Sequence, residues 1–504
     1  MLSKKQDIRH LEPLVETLLA RSPGKLDRQA ALDRDISSAA GAPPELAPEQ
    51  FAKQSPEQLP EHRLNAFSGY RGRRFKAALL LMAIWSVTGI LHLVDWGIGV
   101  GAFGAIVLGI HGWRSLAVPE SRSASAKADG ARPVLSPEDG GDRAWPSVAL
   151  LVAAKDEESV IGETIEKLCQ LDYPSDRYEV WAINDNSSDN TGAVLDRLAQ
   201  RYTRLRAIHR GADASGGKSG ALNLALQDIQ TDLVAVFDAD ARVDGDFLQR
   251  ALPLFDRPDI GAVQVRKAIV NAKANGWTRG QAIEMMLDAY LQEQRYALGG
   301  IGELRGNGQL VRRDALQRCG DFNEVTITDD LDLSLRLHLD GWDVRCTTWP
   351  CVYEEGVTGP IALWHQRSRW AEGGYQRYID YWRLLTSARL SPMKRFDMAV
   401  FISAQYLLPT AAIPDAIGSL AFGNLPVWLP ITLMSAVLTL VWIGCGLRRV
   451  AARTGQPLSW GQAIAQAIRG TIYMLHWIVV MAATTTRMAF RPKRLKWVKT
   501  VHRG

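Results

Sequence analysis

Two carboxylates one residue apart, Asp238 and Asp240, follow the apolar run LVAVF. With that spacing at the end of a buried strand, they could hold a hard divalent cation against a diphosphate. An Asp-x-Asp pair alone is a weak signal, because solvated aspartates are common. The run before it raises its weight, since unbroken apolar stretches mark strands buried on both faces. Asp156, Glu157 and Asp185 occupy similar places, each just after an apolar run. The sequence has no G-x-G-x-x-G after its first such run and no G-x-x-x-x-G-K-[ST]. Phosphates would therefore lack the usual glycine cradle and need neutralising another way.

The spacing of these acidic ends predicts the elements that carry them. VALLVAAKDEE at 148–158 reads as a strand and turn, followed by a helix from Ser159 with Val160, Ile161, Ile165 and Leu168 inward. YEVWAINDNSSDNT at 178–191 repeats the scheme, with Asp189 as a cap for a helix opening there. LRAIHR at 205–210 is a third strand and LVAVFDAD at 233–240 a fourth. Strand and helix alternating at this spacing predict a parallel α/β sheet. Chemistry in such sheets gathers at the carboxyl ends of the strands. Ser215-Gly216-Gly217 can be no more than a flexible turn, and Lys218 after it can also be no more than a solvated lysine. Asp330 opens a helix in which Leu331, Leu335 and Leu339 share one face. An aspartate there can also be nothing more than a cap.

Around this region the chain is segregated. Residues 1–70 are polar and rich in Pro, Ala, Gln and Glu, and read as a disordered leader with a short helix near 11–20. Residues 71–114 read as a transmembrane hairpin, with uncharged arms at 77–94 and 97–113 broken at Asp95-Trp96. Arg71, Arg73, Arg74 and Lys76 before it, and Arg114 after it, place both ends in the cytosol. A linker at 115–144 leads to the α/β region at 145–387. Apolar stretches return in 388–504. The first, 398–422, contains Pro409, Pro414 and Asp415 and reads as kinked or interfacial; 425–447 is the clearest span; 471–486 is short. The basic tail from Arg487 belongs on an anionic cytosolic face. Three full crossings would put it outside, so the first or third stretch is expected to be interfacial or re-entrant.

Composition excludes several classes. Hydrophobic residues are 47% and charged residues 22%, which suits a folded chain and not a disordered one. A net charge of +5 is too small to imply nucleic acid. Five scattered cysteines argue against a disulfide framework, and Cys346 and Cys351 have no partners spaced for zinc.

In order, AAKDEE, INDNSSDNT, GGKSGALNLAL, FDAD, GNGQLVRRDAL, TDDLDLSLRL and QRSRW resemble the family-2 inverting glycosyltransferases of GT-A fold, over about 148–378. The resemblance implies an α/β nucleotide-diphospho-sugar transferase with flanking transmembrane and interfacial helices. By it, Glu157 and Asp185 contact the donor's uracil and ribose, and Lys218 lies near the nucleotide or its phosphates. Asp238 lies close to the nucleotide and Asp240 binds the metal. Asp330 is the general base, and Gln366, Arg369 and Trp370 brace the diphosphate and acceptor. Asp329 stands where the family more often has Glu, which loosens the choice between Asp329 and Asp330.

The chemistry is consistent with those roles. A hydroxyl is a poor nucleophile near neutral pH, so a carboxylate must take its proton as it attacks. A metal and Arg369 can stabilise the leaving diphosphate. One base and one displacement invert the anomeric centre, whereas a retaining hydrolase uses two paired carboxylates. The flanks, GRRFKAALLLMAIWSVTGILHLVDWG at 72–97 and WVKT at 497–500, resemble the cyanobacterial β-monoglucosyldiacylglycerol synthases. That implies UDP-glucose as donor, 1,2-diacylglycerol as acceptor, Mg2+ or Mn2+ as metal, and a plasma or thylakoid membrane location. Two other readings are a processive β-glucan synthase, which needs more spans for a polymer channel, and an inactive sugar-nucleotide sensor, which the intact acidic residues disfavour.

Overall fold

The structure, a computed structural model, describes residues 72–118, 145–455 and 458–491. The leader with its expected short helix, most of the linker, and WVKT lie outside the described residues. The named helices, short turns aside, are α1 (Arg73–Leu93), α2 (Gly97–Leu116), α3 (Ile161–Leu168), α4 (Thr191–Arg201), α5 (Gly217–Leu226), α6 (Gly276–Ala297), α7 (Asp329–Leu339), α8 (Pro360–Leu385), α9 (Pro392–Ile402), α10 (Leu408–Phe422), α11 (Leu429–Arg453), α12 (Trp460–Met474) and α13 (His476–Phe490).

The strands are β1 (Val148–Ala154), β2 (Tyr178–Asp185), β3 (Leu205–Arg210), β4 (Leu233–Phe237), β5 (Ile260–Ile269), β6 (Gln309–Arg312) and β7 (Asp343–Glu354). They form one sheet in the order β3-β2-β1-β4-β6-β5-β7. The first four pair in parallel as the sequence predicts. The sheet as a whole is mixed and not parallel, because β6 runs antiparallel to both β4 and β5. β6 is only four residues long, too short to announce its direction through hydropathy.

Side chains alternate across β1. Val148, Leu150 and Val152 pack with Ile161 and Ile165 of α3, while Ala149 and Leu151 pack with Leu222 of α5 and Leu333 of α7. A strand clothed on both sides has to be apolar at every position, which is why 148–154 carries no polar residue.

By length and composition, four helical stretches can cross a membrane: Arg73–Leu93, Pro392–Phe422, Leu429–Arg453 and Trp460–Phe490. The expected second arm of the hairpin, α2, is 20 residues long but is not among them. Its glycines and His111 dilute its hydropathy. The same glycines let α2 lie close to α11: a Cβ at Gly112 would come within 2.7 Å of Leu438, and one at Gly101 within 2.1 Å of the Val427 carbonyl. Pro392–Phe422 is a single bent rod, α9 and α10 joined through a π-helical turn at Ser403–Leu407.

Contacts at the helix ends show which ends meet the α/β unit and which meet one another. Arg73 of α1 ion-pairs with Asp380 of α8, Asp397 of α9 lies 2.9 Å from Arg295 of α6, and Arg453 of α11 lies 2.8 Å from Glu293 of α6. At the other ends, Asn424 after α10 donates to the His92 carbonyl in the last turn of α1, at 3.1 Å. The segment α12–α13 differs from the rest. Its first residue, Trp460, stacks under Arg448 at the α/β end of α11. Its bend meets Glu284 of α6 through Trp477 at 2.7 Å, and Arg487 near its end meets Glu372 of α8 at 3.2 Å. The bend and the end thus lie against α6 and α8, and the start against the end of α11 that meets α6.

Candidate active site

The predicted residues face one cleft, six of them at or beside element ends and three within α8. Glu157, Asp185, Lys218, Asp238, Asp240, Asp330, Gln366, Arg369 and Trp370 all border a single cavity of about 1110 Å3. Glu157 follows β1, and its backbone N–H donates to Thr191 Oγ1 at 2.8 Å. Asp189 accepts from the backbone N–H groups of Glu158 (3.1 Å) and Thr191 (2.9 Å), so it ties the loop after β1 to the start of α4. Asp185 ends β2 and accepts from Arg210 at 2.6 Å. Arg210 is its register partner on β3 and also bonds the carbonyls of Ser215 and Gly217. That contact fixes the turn before Lys218. Gly216 has φ of 80°, and a Cβ there would strike the Glu324 carboxylate.

Lys218, in the first turn of α5, ion-pairs with Asp238. Burial opposes its charge, but the carboxylates of Asp238, Asp329 and Asp330 outweigh it and raise its pKa. Lys218 is therefore a cation held by its ion pair on the cleft wall, with about a third of its side chain exposed (32%). Asp240 Oδ2 accepts from the Glu355 N–H at 3.0 Å. Among the described residues, no three or more His, Cys, Asp or Glu side chains cluster to hold a metal ion. Asp238 and Asp240 nonetheless suit Mg2+, which keeps several waters and takes one or two carboxylates plus substrate phosphates.

Asp329 and Asp330 open α7 after Thr328. Asp330 Oδ1 accepts from the Leu331 N–H at 2.8 Å, and Ser334 Oγ donates to the Asp330 carbonyl at 2.7 Å. Burial, reinforced by the Asp329 carboxylate, pushes the Asp330 carboxyl up to about 6. Asp329 is raised as well, chiefly by burial. The loop carrying Gly306 closes over the group, with a Cβ at Gly306 only 3.3 Å from Asp330 Oδ2. From the other side, Gly373 of α8 abuts Thr328 so closely that a Cβ would overlap its hydroxyl at 2.2 Å.

Gln366, Arg369 and Trp370 lie on α8. Burial lowers the pKa of Arg369. The ring of Trp370 lies between Arg367, 4.1 Å from its centroid, and Lys267, 4.8 Å from it. Arg367 is fully buried, bonds Gln366 and ion-pairs with Glu284. Arg210, Lys267, Arg305 and Glu303 were missed by sequence reasoning. Arg305 donates to Asp288 at 2.8 Å and to Glu303 at 3.1 Å, and its charge partly offsets the rise at Asp330. Only Arg210 carried a readable signal, through the register of β2 with β3. The cleft combines a carboxyl poised near neutrality, a paired acidic strand end and several cations. Such a site can deprotonate a hydroxyl and stabilise an anionic leaving group.

Residues 146–373 match the family described as glycosyltransferase like family 2. The β-monoglucosyldiacylglycerol synthase of Trichormus variabilis is 52% identical over 87% of this chain and 91% of its own length. That of a Synechocystis strain is 51% identical over 88% and 91%. The poly-β-1,6-N-acetyl-D-glucosamine synthase of Staphylococcus epidermidis is 28% identical over 48% and 58%. Among solved structures, a mannosyltransferase from Pyrobaculum calidifontis in complex with GDP-Man and Mn2+ has a TM-score of 0.49 at 20% identity, covering 76% of this chain and 98% of that one. With about half its residues shared along nearly the full length of these relatives, the chain belongs to the β-monoglucosyldiacylglycerol synthases, a branch of the family-2 glycosyltransferases of GT-A fold.

Proposed function

We propose that this protein transfers glucose from UDP-glucose to the free hydroxyl of 1,2-diacylglycerol, with inversion, to make β-monoglucosyldiacylglycerol for membrane glycolipid synthesis. The observation that carries the reading is the single cleft that joins the acidic strand ends to the apolar helices, where a lipid hydroxyl and a sugar nucleotide can meet. Glu157 and Asp185 bind the uracil and ribose. Lys218 and Asp238 lie beside the phosphates. Asp240 holds Mg2+, or Mn2+, which when bound neutralises diphosphate charge. Gln366, Arg369 and Trp370 brace the diphosphate and the acceptor. Asp330 takes the hydroxyl proton as oxygen attacks the anomeric carbon, and a single displacement inverts it. Conversion of an α-linked donor to a β-linked product follows.

The same reading places the α/β unit on the cytosolic side of a plasma or thylakoid membrane. Two helical hairpins, α1–α2 and α9–α11, then cross, and α12–α13 lies along the cytosolic surface, because its bend and its end contact α6 and α8 and its start contacts the end of α11 nearest α6. That arrangement keeps the tail beyond Arg487 cytosolic without an odd crossing. The test is incubation of purified protein with labelled UDP-glucose, diacylglycerol and Mg2+, with UDP-galactose in parallel. Label should enter the lipid extract from UDP-glucose. Label from UDP-galactose alone, or none from either, overturns the reading.

A further inference from the structure

The cleft does not end at the acidic strand ends. It continues between the membrane helices, past Leu108 of α2, Leu408 and Ala412 of α10, and Ala436 of α11. From Trp442 to Thr432 of α11, both on its wall, is ten residues, or about 15 Å of helix at 1.5 Å per residue. The wall of this arm is mostly apolar, with the hydroxyl side chains Thr432, Ser435 and Thr439 on the α11 side. Where it meets the α/β unit its wall becomes polar, and the polar groups there are incompletely used.

Arg295 of α6 is 6% exposed and borders the cleft. Its Nε donates to Asp397 at 3.0 Å, and its guanidinium lies 4.0 Å from the centre of the Phe401 ring. These contacts fix the plane of the group. Neither terminal nitrogen has a hydrogen-bond partner among the described residues: Nη2 is in ion-pair contact with Asp397 outside hydrogen-bonding alignment, and the nearest Glu303 oxygen is 3.8 Å from Nη1. Gln292 Oε1 and His111 Nδ1, on 2% and 7% exposed residues that border the same cleft, also lack partners. Buried polar groups left without partners are costly, and a level that keeps two such donors and two such acceptors suits a polar ligand. Glu303 links this level to the reaction centre, lying 3.1 Å from Arg305, whose charge acts on Asp330.

We propose that Arg295 anchors the acceptor lipid by donating its terminal N–H groups to the ester carbonyls of the glycerol backbone. The acyl chains run down the apolar arm and the free hydroxyl reaches up to Asp330. Gln292 Oε1 and His111 Nδ1 face the same backbone and accept from a bound water beside it. Arg295 is a positioning residue on this account, and the inference rests on the acceptor reading above. It explains why an arginine is placed at the mouth of a hydrocarbon-lined arm when its carboxylate partner already binds through Nε. The fork of a guanidinium matches two neighbouring carbonyls, which a lysine cannot do.

The test compares full-length protein on 1,2-diacylglycerol and on the ether analogue 1,2-dialkylglycerol, which has the hydroxyl but no carbonyls. Transfer and acceptor-independent hydrolysis of UDP-glucose are both measured. For the natural chain the KM for the ether lipid should exceed that for the ester by about tenfold, the scale of one lost hydrogen bond to a charged group. Arg295→Lys retains the charge opposite Asp397 but loses the fork. It should raise the KM for the ester lipid by a similar factor, leave the KM for UDP-glucose within about twofold, and no longer separate ester from ether. Equal KM values of the natural chain for the two lipids overturn the anchor, as does an Arg295→Lys variant that still prefers the ester. If Arg295→Lys fails to fold, the ester–ether comparison in the natural chain decides alone. Absence of transfer to either lipid would instead refute the acceptor reading.

Discussion

Replacing Asp330 with Asn is the sharpest perturbation of the reaction centre. The amide is nearly isosteric and can still accept from the Leu331 N–H, as Asp330 Oδ1 does at 2.8 Å. It cannot take a proton. Loss of a general base costs about 10²–10⁴-fold in rate, so turnover should fall by that factor while UDP-glucose affinity stays within a few-fold. The carboxyl, raised to about 6, supplies two further signatures. In the natural chain, turnover should rise with pH through about 6 and level off above it, with roughly a tenth of the groups ionised at pH 5. The second concerns stability, with the sign as follows. A carboxyl whose folded pKa lies above its unfolded value is penalised for ionising, so that residue's contribution to stability falls as pH rises from about 4 to about 6. Removing the charge should therefore stabilise the chain at pH 7.5 by of order 1–3 kcal/mol, read as a higher Tm. A residue serving only as a cap predicts the reverse pattern: little kinetic change for Asn, and a loss of about 0.5–2 kcal/mol for Asp330→Ala. Near-normal turnover in a folded Asn variant refutes the assignment and directs attention to Asp329.

Asp240→Ala should abolish transfer and remove the metal dependence of UDP-glucose binding by calorimetry; undiminished turnover in excess EDTA would contradict a metal at this position. Glu284→Gln leaves the fully buried Arg367 without its ionic partner and should cost about 3–5 kcal/mol in stability, seen as a large drop in Tm. For topology, single cysteines at Ser459 and Arg491, in a background lacking the exposed Cys445, should both be labelled by an impermeant maleimide in inside-out vesicles and neither in intact cells. Labelling at opposite faces would make α12–α13 a true crossing.

Much of the α/β unit was legible because its strands are clothed on both faces. β1, β4 and most of β2 had to be apolar runs, and the acidic residues closing them fell at the carboxyl ends, where one cleft gathers them; edge strand β3, half-exposed, carries Arg206, His209 and Arg210 instead. Four-residue β6 offered no comparable pattern, and its antiparallel pairing depends on what its neighbours leave open. Arg305, Glu303 and Lys267 were invisible for a related reason. Each is a charged residue in ordinary local sequence, and its importance arises from contacts with elements far along the chain: Arg305 with Asp288, Lys267 with Trp370 of α8. The helical region was legible in part. Charge and hydropathy left the first and the third late segments as alternatives for the one that does not cross; the contacts of Trp460, Trp477 and Arg487 favour the third, and the cysteine labelling tests it. The glycines of α2 lowered its hydropathy while serving its packing on α11, so a scale that counts only side-chain polarity undervalues it.

The central claim is tested most directly by the structure of the lipid made from UDP-glucose and diacylglycerol. Mass spectrometry with proton NMR of the purified product reads both the number of glucose units and the configuration of the anomeric carbon. A single glucose in β linkage to the glycerol hydroxyl is the predicted outcome; an α linkage would contradict the single displacement through Asp330, and a glucan chain would contradict a lipid as the terminal acceptor.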